Sequence, residues 1–256
     1  MRTSALKVFL KLKEKPDLRH PVLVGGVADS GYVANLALDH FVKELKGKLF
    51  GEIYSYGFPP HIMIQSDGTA GLQKANLYFH RSPDRKTDLL ILGGDTQPSE
   101  PQAAYQIASE VLQLAKGMGI KKVYTIGAHV TGTAVEDPKI YATATDPNLV
   151  KKIADYGFHV MSQGNVTWMN GLLFGLAKLR GMDGCFLSAE TSGYSVDAKA
   201  ARGVLVALTK VLGITMDTTR LDERAKEIER LNHTIDANQR DPAQETESRS
   251  PPELYR

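Results

Sequence analysis

Apolar runs alternate with amphipathic segments along most of this chain. The first apolar run, 21–27 (PVLVGGV), predicts a buried strand. In the segment that follows, apolar residues recur at helical spacing at Val33, Leu36, Ala37, Phe41 and Leu45. Gly47 ends this helix, because glycine is the usual residue just beyond a helix C-terminus. The chain therefore opens with a strand followed by a helix.

The same alternation continues to residue 213. Further strands are predicted at 49–54, 61–64, 76–80, 87–92, 121–126, 140–143 and 183–187, and further helices at 103–119, 148–156, 166–180 and 197–212. Ser99 and the residues after it have the capping-box pattern, and Asp197 is the expected N-cap of the last of these helices. Alternation of this kind predicts a three-layer α/β/α sandwich with a mixed, mostly parallel sheet. The short strands between 49 and 80 have no helix between them and indicate an antiparallel edge or a hairpin in the mixed sheet.

One more helix is predicted over 217–238, after the α/β pattern ends. Its apolar positions form a narrow stripe, at Leu221, Ala225, Ile228, Leu231 and Ile235. This stripe fits packing on the same domain and equally fits a short coiled coil with a neighbouring subunit. The predicted organisation is an α/β core domain at 1–213, a C-terminal amphipathic helix at 214–238, and a tail at 239–256.

The tail combines a polar tether with an apolar end. From 239 to 253 it reads QRDPAQETESRSPPE, in which Ala243 is the only apolar side chain, so we expect this segment to be disordered. It ends in Leu254, Tyr255 and Arg256. A leucine and a tyrosine at the end of such a tether have no core to join, so they are either a docking motif or a frayed terminus.

Composition narrows the class of protein. The 256 residues carry 31 Lys and Arg against 29 Asp and Glu, a net charge of +2, which argues against nucleic acid or a membrane surface as a partner. No apolar run is long enough to span a bilayer, and lysines interrupt the N-terminus where a signal peptide would be apolar. The single cysteine, Cys185, fits a reducing cytoplasm and should be a buried, inert thiol. Metal-ligand patterns are absent from the sequence, and we expect neither a metal nor a cofactor.

The first turn between strand and helix has glycines that suggest a phosphate-binding loop. Gly26 and Gly31 have the spacing of a P-loop, but Tyr32 and Val33 stand where Lys and Ser or Thr are needed, and the GxGxxG pattern is not met. Asp29 would also compete with an anion for the amides of the helix N-terminus. We therefore expect a tight turn in which Asp29 or Ser30 caps the helix.

Four polar residues follow predicted parallel strands and define an alternative, enzymatic interpretation. Asp29, Asp95, His129 and Glu190 would all lie at the carboxyl edge of the sheet, where α/β enzymes place their sites. Convergence of the four would allow a hydrolase or phosphorylase-like activity. Their spacing assigns no nucleophile and no base, and Ser188 and Ser192 lack the GxSxG elbow. No catalytic residue is therefore assigned.

The apolar helix at 166–180 contains Trp168 and two glycines, Gly171 and Gly175. We interpret it as a core helix that packs closely on the sheet through these glycines, in preference to an aromatic ligand site.

Several segments together resemble the proteasome assembly chaperone family, in particular its archaeal members. They are VGGVADSGYVANLALDHFVKEL at 24–45, LLILGGDTQPSEPQAAYQIASEVL at 89–112, KKVYTIGAHVTG at 121–132, and GMDGCFLSAETSGYSVDAKAARGVLVALTKVLG at 181–213. Each is a diffuse pattern of glycine and apolar positions, and their order along the chain is the stronger signal. The likeness covers roughly residues 18–235.

The resemblance implies a fold similar to that of nucleoside phosphorylases, without an established catalytic set. It also implies a cytoplasmic homo-oligomer that binds the α ring of the 20S proteasome and assists assembly or gate opening without ATP. Family members of this kind end in a hydrophobic residue, a tyrosine and one further residue. That ending corresponds here to Leu254, Tyr255 and Arg256.

Overall fold

The computed structural model describes residues 7–83 and 86–239. The strands are β1 (Val8–Leu12), β2 (Val22–Val27), β3 (Lys48–Ser55), β4 (Ile62–Ile64), β5 (Ala70–Leu72), β6 (Ala75–His80), β7 (Leu89–Gly94), β8 (Lys122–Val130), β9 (Ile140–Ala144), β10 (His159–Val160) and β11 (Asp183–Thr191). The helices are α1 (Val33–Glu44), α2 (Pro101–Gly117), α3 (Pro147–Ala154), α4 (Trp168–Leu179), α5 (Ala198–Leu212) and α6 (Thr219–Gln239).

A mixed sheet of nine strands, in the order β1-β3-β6-β7-β2-β8-β11-β9-β10, forms the middle layer. Its centre is parallel, since β2 pairs in parallel with β7 and β8, and β11 with β8. These central strands are continuous apolar runs because helices cover both of their faces. On one side β6, β3 and β1 add in antiparallel pairs, which confirms the antiparallel edge expected from residues 49–80.

Helices lie on both faces of the sheet and confirm the three-layer sandwich. One apolar core lies between the sheet and α1, α5 and α6 and is built around Phe41, Val204 and Leu205. The other lies between the sheet and α2 and α4 and contains Ile107, Leu112 and Leu173. Among the helices described, none is long and apolar enough to cross a membrane.

The first half of α6 packs on its own domain. Leu221 is 3% exposed and Ala225 8%, both within the core around α1 and α5, and Ile228 is partly buried against it. Arg202 of α5 also forms an ion pair of 2.6 Å with Asp222. The apolar stripe is therefore used internally over this half. The side chains of Leu231 and Ile235 lie outside the described residues, as do residues 240–256 with Leu254, Tyr255 and Arg256.

The ends of two helices differ in how well the sequence predicted them. Asp197 caps α5 as expected, with its Oδ1 accepting from the backbone N–H of Ala200 at 2.9 Å. The predicted capping box at Ser99 is wrong. Glu100 is the N-cap of α2, and the Glu100 side chain makes no capping hydrogen bond. The backbone N–H of Ser99 instead donates to the carbonyl of Gly57, which ties this residue to the turn after β3.

The close packing of α4 on the sheet uses the glycines of the strands. A methyl group at Gly184 of β11 would lie 2.1 Å from the carbonyl oxygen of Phe174, so only glycine allows this approach. A methyl group at Gly175 of α4 would meet no described atom within 4 Å. Gly171 does lie close to a neighbour, but this is Val166 in the segment before α4. The prediction that α4 packs on the sheet through its own glycines is therefore wrong.

Candidate functional site

A cavity of about 420 Å³ opens at the carboxyl ends of β2, β8 and β11. Residues of the segment 161–167, which precedes α4, and Trp168 at the start of α4 also line it. Outside the segment 161–167, the polar residues that line the cavity are Asp29, Ser30, Gln97, His129, Asn170 and Ser188. The cavity thus lies at the sheet edge where the sequence placed its candidate loops.

Two amide side chains fix the backbone around the cavity. Asn170 of α4 accepts from the N–H of Val27 at 2.9 Å and donates to the carbonyl of the same residue at 3.1 Å. Gln97 donates to the carbonyl of Ala28 at 2.7 Å and accepts from the N–H of Met169 at 3.2 Å. Both amides hold the end of β2 against the start of α4, so their role is structural.

Asp29 lies in the turn between β2 and α1. Its Oδ1 accepts from the backbone N–H of Ala34 at 3.0 Å, so Asp29 satisfies one N–H of the first turn of α1, although Tyr32 occupies the N-cap position. Its Oδ2 is buried and has no hydrogen-bond partner within the described part of the chain. Burial raises the pKa of this carboxyl to about 7 from an ordinary value of 3.8, and backbone N–H groups of Ala34, Ala128 and Val33 act in the opposite direction.

The backbone conformation of this turn explains why residue 31 is a glycine. Gly31 has φ of 70° and Tyr32 has φ of 53°, so two consecutive residues are left-handed. A methyl group at Gly31 would also lie 2.9 Å from the hydroxyl of Thr191. The glycine therefore serves the turn, as expected, and supplies no phosphate loop.

His129 and Ser188 line the same cavity as Asp29. The His129 ring stacks on Tyr141, with centroids 4.0 Å apart and planes 8° apart. Ser188 is fully buried, and its hydroxyl has no hydrogen-bond partner among the described residues. The described residues therefore contain no hydrogen bond between Ser188 and His129, and a nucleophile paired with its base is not formed.

The other two candidate residues are directed elsewhere. Asp95 accepts from Asn35 of α1 at 3.3 Å, and it does not line the cavity. Glu190 accepts from the hydroxyl of Tyr141 and from the backbone N–H of Lys139, each at 3.1 Å. Of the four residues that the enzymatic interpretation needed, the structure brings together Asp29 and His129 alone.

The described residues were also compared with the side-chain arrangements that metal binding and thiol chemistry require. Among the side chains that the structure describes, no three of His, Cys, Asp or Glu are arranged to hold a metal ion. Cys185 is buried in β11, and burial raises the pKa of its thiol to about 11. It matches the inert thiol expected from the sequence, since the reactive thiolate is strongly disfavoured.

A second surface is apolar and exposed. The hairpin of β4 and β5 presents Ile62, Met63, Ile64 and Leu72, each between 50% and 70% exposed. We call these four residues the hairpin surface. Beside it, Phe9, Tyr56 and Phe58 line an apolar groove of about 400 Å³. Ile62, Ile64 and Leu72 share one face of the hairpin and Met63 lies on the other, and clustered exposed apolar area of this kind is typical of an interaction surface.

Comparison with known proteins gives matches over nearly the whole fold. The model of the PAC2 family matches residues 23–234. Protein MJ1210 of Methanocaldococcus jannaschii is 32% identical over 226 residues, covering 88% of this chain and 86% of that protein.

Two solved structures of Pyrococcus furiosus proteins have the same fold. PbaB, described as an archaeal proteasome activator, superposes with a TM-score of 0.85 at 34% identity, covering 90% of this chain and 98% of that one. PbaA, described as an archaeal homologue of proteasome-assembly chaperone, superposes with a TM-score of 0.75 over 91% and 94% of the two chains. At 24% identity this second likeness concerns the fold alone.

Proposed function

Because this chain belongs to the PAC2 family, we propose that it is a homo-oligomeric proteasome-binding protein, acting as an assembly chaperone or an ATP-independent activator. In this proposal its C-terminal tails dock into pockets of the 20S proteasome α ring. The observation that carries the proposal is the likeness to the proteasome activator PbaB, at 34% identity over 90% of this chain. The cytoplasm, where 20S particles assemble, is the compartment that the proposal requires.

Docking through the tail follows from the chemistry of its last three residues. Burial of Leu254 and most of Tyr255 contributes about 3–5 kcal/mol. A charge-assisted hydrogen bond from the terminal carboxylate of Arg256 to a receptor lysine adds about 1.5–3 kcal/mol. Association and ordering of the tether cost several kcal/mol, so a single tail binds with a Kd of roughly 10⁻⁴ to 10⁻³ M.

An oligomer converts these weak contacts into stable binding. Each further tail of the same oligomer binds intramolecularly, so the overall affinity rises by about 10²–10⁴. As a flexible tether, the 14 residues from 240 to 253 would reach roughly 20 Å, with an extended limit of about 50 Å. This reach lets several tails engage a ring whose symmetry differs from that of the oligomer.

The hairpin surface supports self-association. Its four apolar side chains are exposed in the single chain, and contact with a second copy would remove them from water. The near-neutral net charge of +2 opposes such contact only weakly. We therefore assign the contact between subunits to this surface and the groove beside it.

A pull-down with purified 20S particles tests the docking residue. We expect Tyr255→Ala to lose most of the binding, because the ring and its hydroxyl fill the receptor pocket. Tyr194→Ala is the matched control, since Tyr194 is a tyrosine that is 86% exposed in the folded part of the chain, and it should bind like the unmodified protein. Equal binding by the two variants would contradict tail docking and favour contact through the folded surface.

A further inference from the structure

The apolar groove beside the hairpin surface has walls of aromatic rings and prolines. Its lining residues include Phe9, Tyr54, Tyr56, Phe58, Pro59 and Pro60. The groove is open to solvent, since Phe9 is 43% exposed and Tyr56 is 72% exposed. The rings of these two residues meet edge to face, with centroids 5.4 Å apart. Aromatic-lined grooves of this kind bind extended, proline-containing segments, because such segments already have the polyproline II conformation before they bind.

This groove lies at the carboxyl edge of the sheet. Because β3 is antiparallel to β6 and β6 to β7, β3 runs in the same direction as the central strands and ends at their carboxyl edge. Phe9 pairs with Tyr54 across β1 and β3, while Leu10 contacts the core between the sheet and α2 and α4. Side chains alternate along a strand, so Phe9 and Tyr54 lie on the other face, which carries α1, α5 and α6.

The last helix leads the chain to the same edge. Near the start of α6, Arg220 pairs with Glu44 at the C-terminal end of α1, with 3.9 Å between Nη1 and Oε1. Further along α6, Ile228 shares a shallow groove with Val196, which lies just before α5 at the carboxyl edge. The helix therefore runs towards this edge, and its last residue, Gln239, lies beyond the edge on the same face as the aromatic groove.

The chain between α6 and the last six residues is long enough to reach the groove. β3 lies three strands from β2 and α6 continues for eleven residues past Ile228, which together give a separation of about 20–30 Å. The eleven residues from 240 to 250 can span up to about 36 Å. The end of the tail is therefore within reach of the groove of its own chain.

The last six residues, PPELYR at 251–256, have the composition that such a groove binds. Pro251 and Pro252 favour the polyproline II conformation, and Leu254 and Tyr255 supply apolar side chains that can enter the groove. These six residues thus combine the backbone conformation and the apolar surface that aromatic walls recognise.

Charge also favours this pairing of tail and groove. The last six residues carry two anionic groups, Glu253 and the terminal carboxylate, against one cation, Arg256. Lys7 and Lys11 are exposed and lie on either side of Phe9 along the chain, so they are on the same face of the sheet. Glu52, which lies opposite Lys11 in β3, is already paired with Lys74. The groove therefore has cations beside it that can attract the anionic groups of the tail.

We propose that residues 251–256 bind in the aromatic groove of their own chain when no proteasome is engaged. The groove shares Ile62 and Leu72 with the hairpin surface, so the bound tail lies at the border of the proposed contact between subunits. The role of this contact rests on the proposed function, because Leu254 and Tyr255 are also the residues assigned to docking. A tail held in the groove is unable to enter a pocket of the α ring, so the groove controls how many tails are free.

A peptide-binding measurement without proteasomes tests this contact. The probe is a fluorescein-labelled peptide of residues 248–256, and its anisotropy is followed with the full chain and with a chain that ends at Arg249. The deleted residues lie outside both apolar cores. We expect the shortened chain to bind the peptide with a Kd of roughly 10⁻⁴ to 10⁻³ M. The full chain should bind it about threefold more weakly or less, because its own tail competes at a high effective concentration.

Substitutions in the shortened chain locate the binding site. Tyr56→Ala removes an exposed wall of the groove and should weaken the peptide by about fivefold or more. Tyr105→Ala is the matched control, since Tyr105 is 54% exposed on α2 outside the groove, and it should leave binding unchanged. Lys11→Glu should weaken binding by about twofold, and by less at high salt. A peptide with alanine in place of both prolines should bind about threefold more weakly, because it is less preorganised.

The proposal is overturned if the shortened chain does not bind the peptide at about 1 mM. It is equally overturned if Tyr56→Ala binds the peptide as well as Tyr105→Ala does. In that case, a lower oligomeric mass of Tyr56→Ala would leave the groove to the contact between subunits alone. The measurement contains no 20S particles, so its failure would leave the proposed docking untouched, and a failure of docking would leave the peptide result unchanged.

Discussion

Asp29 combines two roles that place opposite demands on a carboxyl group. As a cap, its Oδ1 accepts a hydrogen bond from the first turn of α1. As a cavity residue, its Oδ2 is buried without a partner, and burial opposes ionisation. The sequence predicted the first role from the position of Asp29 after a glycine-rich strand. The second depends on β8, whose residues lie about a hundred positions further along the chain, so no local pattern reports it.

The raised pKa of Asp29 makes the stability of the protein depend on pH. Because the folded-state pKa is about 7 and the ordinary value is 3.8, the folded state holds its proton more tightly than the unfolded state. The contribution to stability is complete below pH 3.8 and is lost as the pH rises towards 7. Asp29→Asn cannot ionise, so we expect it to be as stable as the unmodified chain near pH 4 and more stable at pH 8, by at most about 4 kcal/mol.

Urea unfolding of both proteins at pH 4, 6 and 8 measures this difference. It should grow between pH 4 and 7 and stay constant above pH 7. A difference that is the same at all three pH values would show that Asp29 ionises normally in the folded protein.

At the scale of elements, some strands and helices can be predicted from their own local sequence and others cannot. The central strands are predictable because a strand covered on both faces must be a continuous apolar run, as in 87–92. The edge strand β1 was missed, because its exposed positions include Lys11 and its five residues carry no clear alternation. The capping box at Ser99 failed for a different reason. A backbone hydrogen bond to Gly57, more than forty residues away, holds Ser99 in place.

The contact between α4 and β11 depends on a glycine of the strand. Gly184→Ala would place a methyl group 2.1 Å from a backbone oxygen of α4, and neither backbone can give way without moving the helix. We expect a loss of about 3 kcal/mol or more in the free energy of unfolding. Gly175→Ala is the matched control within the helix itself. It should stabilise the protein by about 0.5–1 kcal/mol, because alanine is the better helix former at this exposed position.

Chemical denaturation of the two variants checks this contact. Equal stability of Gly184→Ala and the unmodified chain would mean that α4 does not pack as closely on β11 as the structure has it.

At the scale of the whole molecule, the cavity illustrates why sites are harder to predict than folds. Its wall combines the ends of three strands with the segment 161–168, and two amides hold the end of β2 against the start of α4. The two hydrogen bonds of Asn170 join residues 143 positions apart in the chain. The sequence offered one signal for this site, because Asn170 is a polar residue in the apolar first half of α4, and buried polar residues are usually hydrogen-bonded. Ser188 had no comparable signal in its strand.

The family, the fold and the apolar hairpin surface all bear on one central claim, that the chain binds 20S proteasomes through its C-terminal tails. The most direct measurement is the affinity of the chain for purified 20S particles with and without Leu254–Arg256. Sedimentation of each protein alone provides the control that fold and oligomeric mass are unchanged. We predict that the deletion weakens binding by about 100-fold or more, because every tail of the oligomer loses its contact at once. Binding within threefold of the full chain would contradict the account.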